Sequence, residues 1–321
     1  MSAVELALLA VGGWFAFNMG ASGLAPAFGA TIGARLISPR WAALVFGIFV
    51  IAGALLLGPN VAKTLGSGIV PGRSFDTVTT LIVLGAANVA LLLANLLKMP
   101  QSTSWVTVAA IVTLGLHQRD LNTEMLTHRL LPAWLVLPLA GFVISAGLMK
   151  YLYPLDGSRF GLHSWLSQRT GVMRGLAFAS ACYVALAIGA NNVANAVGPC
   201  SAAGLFSVGT GMLLLAPMFG LGAGVLAGPA KTIARDVVPL GLFAATICNV
   251  VVATLLIVAS YMGLPQSLVQ MNAAAVLGVA LVKEGHSGML DGRGTRRMLM
   301  LWIVTPILAA GLTWIALTLW R

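Results

Sequence analysis

Residues Gly189–Gly198, GANNVANAVG, place three asparagines within five residues of an otherwise apolar segment. A related decapeptide, GASGLAPAFG, occupies Gly20–Gly29, and glycines frame both stretches. Two further landmarks follow each decapeptide in the same order, a Gly-Pro with Lys-Thr close behind and a Pro-Gln-Ser. They lie at residues 58–64 and 100–102 in the first case and at 228–232 and 265–267 in the second. Landmarks repeated in one order predict two related halves.

The composition predicts that both halves lie in a bilayer. Of the 321 residues, 59% are hydrophobic and only 8% are charged, which leaves too little polar surface to cover a water-soluble globule. Uncharged apolar runs recur at lengths that span a membrane as helices. Examples are the runs 41–59, 77–97, 175–188, 237–261 and 298–320. We therefore expect an all-α integral membrane protein of about ten spans.

The most polar stretch, residues 150–174, separates a first transmembrane repeat at 1–149 from a second at 175–321. With five segments per half, the two repeats have opposite orientations, and 13 of the 18 Lys and Arg residues fall on the side of this linker. These are Arg35, Arg40, Lys98, Lys150, Arg159, Arg169, Arg174, Lys231, Arg235, Lys283, Arg293, Arg296 and Arg297. The positive-inside rule then places the basic linker in the cytoplasm and both termini outside the cell membrane.

Both decapeptides lie in apolar stretches, 4–37 and 175–206, that are too long for one straight span and contain internal glycines. This pattern predicts broken or re-entrant helices at matching positions of two inverted repeats, which is typical of the substrate site of a transporter. The free N–H groups at such a break attract an anion. The candidate substrate ligands at the breaks are Ser22, Gly23, Asn191 and Asn192. For the glycines Gly20 and Gly29, a helix-packing seam is an equally good interpretation.

A second group of candidate ligands follows Pro100 and therefore lies in the first turn of a new helix. It comprises Ser102, Thr103 and Ser104, and Ser267 is the lone hydroxyl of the matching element. A helix cap is the alternative role for Ser102. Further candidates of lower rank are Asn18, Asn195, Lys63 and Lys231. Each of these two lysines follows a Gly-Pro pair that we expect to end a helix, and a position at the membrane interface is the more favoured role for both.

Several other functions are disfavoured by the sequence. The four histidines have no spacing typical of a metal site, and the three cysteines form no CxxC pair, so we expect no metal. Motifs of serine hydrolases, nucleotide-binding loops and zinc proteases are absent, so we expect neither an enzyme nor a cofactor. The net charge of +10 lies mainly between the apolar runs, which points to lipid headgroups and not to nucleic acid.

These landmarks resemble the inorganic phosphate transporter family, whose halves each carry a Gly-Ala-Asn-Asp-Val-Ala-Asn type of signature and then a Pro-x-Ser-Thr-Thr type of element. The matching stretches are 189–199, 57–71 and 99–108, and the resemblance extends from Asn18 to Pro306. The Asp of the family signature is replaced by Gly23 and by Asn192. The resemblance associates those acids with cation coupling, so their loss argues against a sodium site. Residues 18–23 and 191–195 resemble the sulfate permease branch of the family, which implies proton-coupled or sodium-independent transport. The resemblance also implies a homodimer.

The chemistry of the candidate ligands favours the same branch. Phosphate near neutral pH keeps a proton and is best bound by a site with an acceptor, whereas sulfate is fully deprotonated and needs donors only. The candidate site offers amides, hydroxyls and backbone N–H groups. The leading hypothesis is a secondary active transporter that imports sulfate, with protons as a candidate coupling ion. Phosphate, thiosulfate or molybdate transport remains an alternative, and an anion channel or a membrane scaffold is a further one.

Overall fold

The computed structural model describes residues 1–97, 101–153, 162–226, 241–289 and 292–320, and this part of the chain contains helices and loops but no strand. The α-helices are α1 (Ala3–Gly20), α2 (Leu24–Gly33), α3 (Pro39–Lys63), α4 (Thr77–Leu96), α5 (Thr103–Gln118), α6 (Leu131–Leu152), α7 (Leu162–Gln168), α8 (Thr170–Asn192), α9 (Ala194–Ala202), α10 (Val208–Val225), α11 (Leu242–Tyr261), α12 (Leu268–Met289) and α13 (Gly292–Trp320). Eight helical segments of the described chain are long and apolar enough to cross a bilayer. The predicted all-α membrane fold is confirmed.

The helices repeat in one order along the chain. The interrupted helix α1–α2 is followed by α3, α4, α5 and α6, and the interrupted helix α8–α9 is followed by α10, α11, α12 and α13. The interruptions fall where the sequence predicts them, at residues 21–23 between α1 and α2 and at Val193 between α8 and α9. The predicted two repeats of about five segments are therefore confirmed. The centre of the predicted linker, 154–161, lies outside the described residues.

Glycines allow the two repeats to pack closely against each other. Helix α1 crosses α10 where a Cβ atom on Gly20 would overlap the carbonyl oxygen of Phe219, and one on Gly222 would overlap that of Phe17. Only glycine permits backbones to approach to this extent. Gly20 is thus a packing residue, whereas no atom lies within 4 Å of a Cβ position at Gly29.

The crossing of α8 with α3 reproduces this arrangement with the roles of the repeats exchanged. A Cβ atom on Gly189 would overlap the carbonyl oxygen of Val50, and one on Gly53 would overlap that of Leu186. Gly20 and Gly189 are 169 residues apart, and so are Gly53 and Gly222. The internal symmetry read from the sequence is therefore a symmetry of the contacts between the repeats.

One predicted helix end is wrong. Helix α3 continues through Gly58 and Pro59 to Lys63, and a π-helical segment, Thr64–Gly68, extends it. A proline removes one N–H from the helix ladder, but neighbouring helices in a membrane protein compensate for that loss. The second Gly-Pro, at residues 228–229, lies outside the described residues.

Helices α5 and α12 begin inside the protein. The end of α4 is exposed at Leu96 and that of α11 at Tyr261, whereas Gln101 and Gln266, shortly before the next helices, are fully buried. Helix α5 has 16 residues and spans about 24 Å, less than the roughly 30 Å of a hydrocarbon core. The apolar part of α12, Leu268–Lys283, is equally short. Helices α5 and α12, which hold equivalent places in the two repeats, therefore both begin in the protein interior.

The glycine crossings provide a test of the packing. We expect Gly189→Ala to destabilise the folded protein by about 1–3 kcal/mol, because α3 must move away from α8. Gly85→Ala in α4 is the matched control, since its Cβ position has open space. Thermal unfolding of the purified protein in detergent measures both variants, and equal stability of the two would contradict the proposed close contact.

Candidate functional site

The N-terminal ends of α5 and α12 meet in the interior. The Ser104 hydroxyl in the first turn of α5 donates a 3.0 Å hydrogen bond to the Gln266 carbonyl, just before α12. Ser102, Ser104, Gln266 and Ser267 are at most 1% exposed. Two homologous elements that lie far apart in the sequence thus form one buried junction.

Serine caps both helix ends at this junction. The Ser102 hydroxyl accepts a hydrogen bond from the Trp105 N–H at 3.2 Å, and the Ser267 hydroxyl accepts one from the Gln270 N–H at 3.3 Å. The capping role considered for Ser102 is therefore real. A cap uses the hydroxyl oxygen as acceptor and leaves its proton free to donate. The first N–H groups of both helices have no acceptor within their own helix, and the positive ends of both dipoles point into the junction.

Asn192 and Asn195 extend from the second helix break into the same junction. The amide of Asn192 donates to the Thr103 hydroxyl at 3.3 Å, and that of Asn195 donates to the Ser104 hydroxyl at 3.4 Å. The amide oxygens of both asparagines are buried without a hydrogen-bond partner. Rotation of such an amide by half a turn puts an N–H where the oxygen was, so both side chains have unused polar capacity.

Gln266 is a polar residue of the site that the sequence analysis did not select. Its side chain is fully buried, and neither its amide nitrogen nor its amide oxygen has a partner. The equivalent Gln101 differs, because its amide nitrogen donates to the Leu91 carbonyl at 2.8 Å. The repetition of Pro-Gln-Ser in both halves is the sequence signal that could have identified Gln266.

Asn191, predicted as a ligand, is fully engaged with protein groups. Its amide nitrogen donates to the Ser260 hydroxyl and to the Leu264 carbonyl, both at 3.0 Å, and its oxygen accepts from the Gln266 N–H at 2.8 Å. These bonds tie α8 to the turn between α11 and α12. In this conformation Asn191 holds the site together and presents no free N–H to a substrate.

The first helix break contributes packing and not polar groups to the junction. The Ser22 hydroxyl donates to the Met19 carbonyl of its own helix at 2.8 Å. A Cβ atom on Gly23 would lie 2.7 Å from Phe46 and 3.2 Å from Phe219, so aromatic rings cover this position. Neither residue hydrogen-bonds to the described parts of the α5–α12 junction, although the sequence grouped them with Asn191 and Asn192.

The remaining predicted residues lie around the junction or away from it. The Asn18 amide donates to the Asn88 side chain at 2.8 Å and its oxygen accepts from Asn95 at 2.6 Å, which ties α1 to α4. Lys63 is exposed at the end of α3, as expected for an interfacial lysine. Lys231 lies outside the described residues.

Among the side chains whose burial the structure describes, all buried polar ones are amides and hydroxyls, and none is charged. The same residues contain no group of three His, Cys, Asp or Glu side chains that could hold a metal ion. The junction combines two helix N-termini with hydroxyls and amides, which together donate hydrogen bonds from several directions. Such a site is suited to an oxyanion, because helix N-termini stabilise negative charge without a cationic side chain.

An inverted-repeat helical membrane protein with broken helices around a polar interior is a membrane transporter in its architecture. A model of the phosphate transporter family matches residues 19–169 and 162–313, and the chain belongs to this family. The two matches confirm the two repeats independently of the structure.

Relatives of known name are also transporters. The sulfate permease CysP of Bacillus subtilis is 31% identical over 98% of this chain and 88% of its own length. A protein of Thermococcus kodakarensis named "Putative phosphate permease TK2061" is 26% identical over 95% of both chains. A solved structure titled "The sodium-dependent phosphate transporter" matches with a TM-score of 0.86 and 20% identity over 99% of each chain, which shows a shared fold. The chain is thus a transporter of phosphate- or sulfate-type anions and not an enzyme.

The different bonding of Asn191 and Asn192 predicts different effects of their removal. Asn191→Ala leaves the buried Leu264 carbonyl and Gln266 N–H unpaired, and we expect it to destabilise the protein by about 2–4 kcal/mol. Asn192→Ala removes one long hydrogen bond and should change stability much less. Thermal unfolding in detergent compares the two, and a similar loss in both would contradict the holding role of Asn191.

Proposed function

We propose that this protein imports sulfate across the cytoplasmic membrane by secondary transport that is proton-coupled or sodium-independent. The observation that carries the proposal is the neutral set of donors at the α5–α12 junction. Sulfate carries no proton near neutral pH and needs donors only, whereas a buried carboxylate would repel it. The substrate ligands that we propose are the first N–H groups of α5 and α12 with Ser102, Thr103, Ser104, Asn192 and Ser267. Asn195 is a ligand of lower rank.

Similarity to the sulfate permease of Bacillus subtilis supports this substrate, since that relative covers 98% of the chain. The absence of a carboxylate at Gly23 supports the coupling proposal. Small hard cations are bound by several oxygen ligands that commonly include a carboxylate. At Gly23 the Phe46 ring lies too close to a Cβ position for a larger side chain to fit without rearrangement.

The orientation and the assembly belong to the same proposal. The excess of Lys and Arg on the side of the linker supports a cytoplasmic linker and external termini. Family membership supports a homodimer. Transport then requires the two repeats to move relative to each other, so that the junction opens alternately to either side.

Transport of phosphate, or of thiosulfate or molybdate, is the second candidate function. Among these anions, the unpaired amide oxygens of Asn192, Asn195 and Gln266 favour phosphate. These acceptors could bind the proton that hydrogen phosphate retains. Competition between anions distinguishes this function from the first.

Uptake of radiolabelled sulfate into liposomes that contain the purified protein tests the proposal. We expect saturable uptake that does not require sodium and that excess phosphate inhibits weakly. Asn192→Ala and Ser102→Ala should each reduce uptake at least about tenfold, which corresponds to the loss of one strong hydrogen bond to the anion. Gly85→Ala serves as the control. Uptake that requires sodium, or that prefers phosphate, would overturn the proposal.

Introduction of a carboxylate tests the role of the neutral donors. Asn192→Asp keeps the size of the side chain but places an anionic oxygen beside the Thr103 hydroxyl. We expect sulfate uptake to fall at least about tenfold, because two negative charges are brought close together in the interior. The conservative variant Asn192→Gln is the comparison for a change of shape. Full sulfate uptake by Asn192→Asp would argue against direct contact between this residue and the anion.

A further inference from the structure

The turn between α11 and α12 is held by an unusual number of side chains. Of its six carbonyl groups from Tyr261 to Gln266, five accept a hydrogen bond from a side chain of another element. The donors are Asn60 to Tyr261 at 3.2 Å, Arg129 to Met262 at 3.4 Å, Asn191 to Leu264 at 3.0 Å, Trp134 to Pro265 at 2.8 Å, and Ser104 to Gln266 at 3.0 Å. We call these five residues the turn-binding donors.

The turn-binding donors pair carbonyl groups that have no hydrogen-bond partner in a regular helix. The last carbonyls of α11 have no partner in their own helix, and the turn itself forms no regular ladder. Tyr261 and Met262 are exposed, but the rest of the turn is buried, and each carbonyl there needs a donor because water is absent. Four of the five donors, all except Asn191, come from the first repeat. The first repeat therefore sets the conformation of a turn in the second.

Among the turn-binding donors, Trp134 contacts the segments at both helix starts of the junction. Its indole N–H bonds the Pro265 carbonyl, the residue before Gln266, with the shortest distance of the set. Its ring packs against Trp105 with 4.9 Å between the ring centroids. Trp105 lies in the first turn of α5, and its backbone N–H donates the hydrogen bond that the Ser102 hydroxyl accepts.

We infer that Trp134 is a positioning residue for the anion site: it holds the turn before α12 against the start of α5. This inference rests on the proposed function, because it assumes that the α5–α12 junction binds the anion. Loss of the indole N–H leaves the Pro265 carbonyl unpaired in a buried turn. The turn then shifts to find another donor, and the two helix N-termini no longer face one substrate.

Trp105 provides a matched control in the same ring pair. Its indole nitrogen is buried without a hydrogen-bond partner. Trp134→Phe and Trp105→Phe thus make the same chemical change and disturb the same ring contact, but only the first removes a bond to the turn. An effect of lost ring packing alone is equal in both variants.

The test measures the turn directly by thiol labelling. Leu264 is 5% exposed, so a cysteine introduced by Leu264→Cys reacts slowly with a small maleimide in the detergent-purified protein. Cys182, Cys200 and Cys248 are buried, and protein without the substitution gives their background. We expect Trp134→Phe to raise the labelling rate of Leu264→Cys about tenfold, because loss of this hydrogen bond leaves a buried carbonyl unpaired and loosens the turn. Trp105→Phe should change that rate by no more than about twofold.

A second variant and a transport measurement complete the test. Trp134→Tyr also removes the indole N–H, with Trp105→Tyr as its control, and this pair serves if Trp134→Phe is not recovered folded. In sulfate uptake, Trp134→Phe should raise KM about tenfold and lower the maximal rate much less, because it disorders the binding site. Equal labelling rates in the matched Trp134 and Trp105 variants would overturn the inference. Absence of sulfate uptake by the unmodified protein would overturn the proposed function and leave the labelling comparison valid.

Discussion

Helices α5 and α12 begin inside this protein, and a bilayer offers no water to bind their free N–H groups. Every backbone group at that depth must find a partner within the protein or in a bound ligand. Ser102 and Ser267 each pair one N–H group of these helix starts, and the remaining N–H groups of the first turns have no acceptor in their own helix. The glycine crossings of α1 with α10 and of α3 with α8 bring the rest of the chain close enough to enclose it. The requirement to satisfy these helix ends thus explains both the fold and the site.

A neutral donor site has an advantage for a substrate that must leave again. A buried lysine or arginine would attract a dianion strongly, but it would also need a partner whenever the site is empty. Helix ends and amides carry only partial charges, so the empty site costs less. Asn192 and Asn195 illustrate the point, since each donates a long hydrogen bond to a hydroxyl and keeps an unpaired oxygen. Such weak bonds can be exchanged for bonds to an anion.

The sequence predicted the elements of this structure better than their contacts. Repeated landmarks identified the two repeats, both helix interruptions and the hydroxyls at the start of α5, because these depend on local signals. The holding role of Asn191 could not be predicted, since its partners Ser260 and Leu264 lie about 70 residues away. The expected helix end at Gly58-Pro59 was wrong because packing in a membrane protein compensates for a proline. A helix break beside glycines does not fix the direction of a nearby side chain, and the Ser22 hydroxyl bonds its own helix.

The two decapeptides occupy equivalent positions in the two repeats but have different structural roles. At the second, Asn191 holds the turn before α12 and Asn192 reaches the start of α5, so this break organises both helix starts. At the first, Gly23 lies against two aromatic rings, and its break serves packing. An inverted repeat therefore does not require two equivalent sites. The symmetry of the backbone places two helix ends opposite each other, and the asymmetry of the side chains makes their meeting point the single candidate site that we propose for the anion.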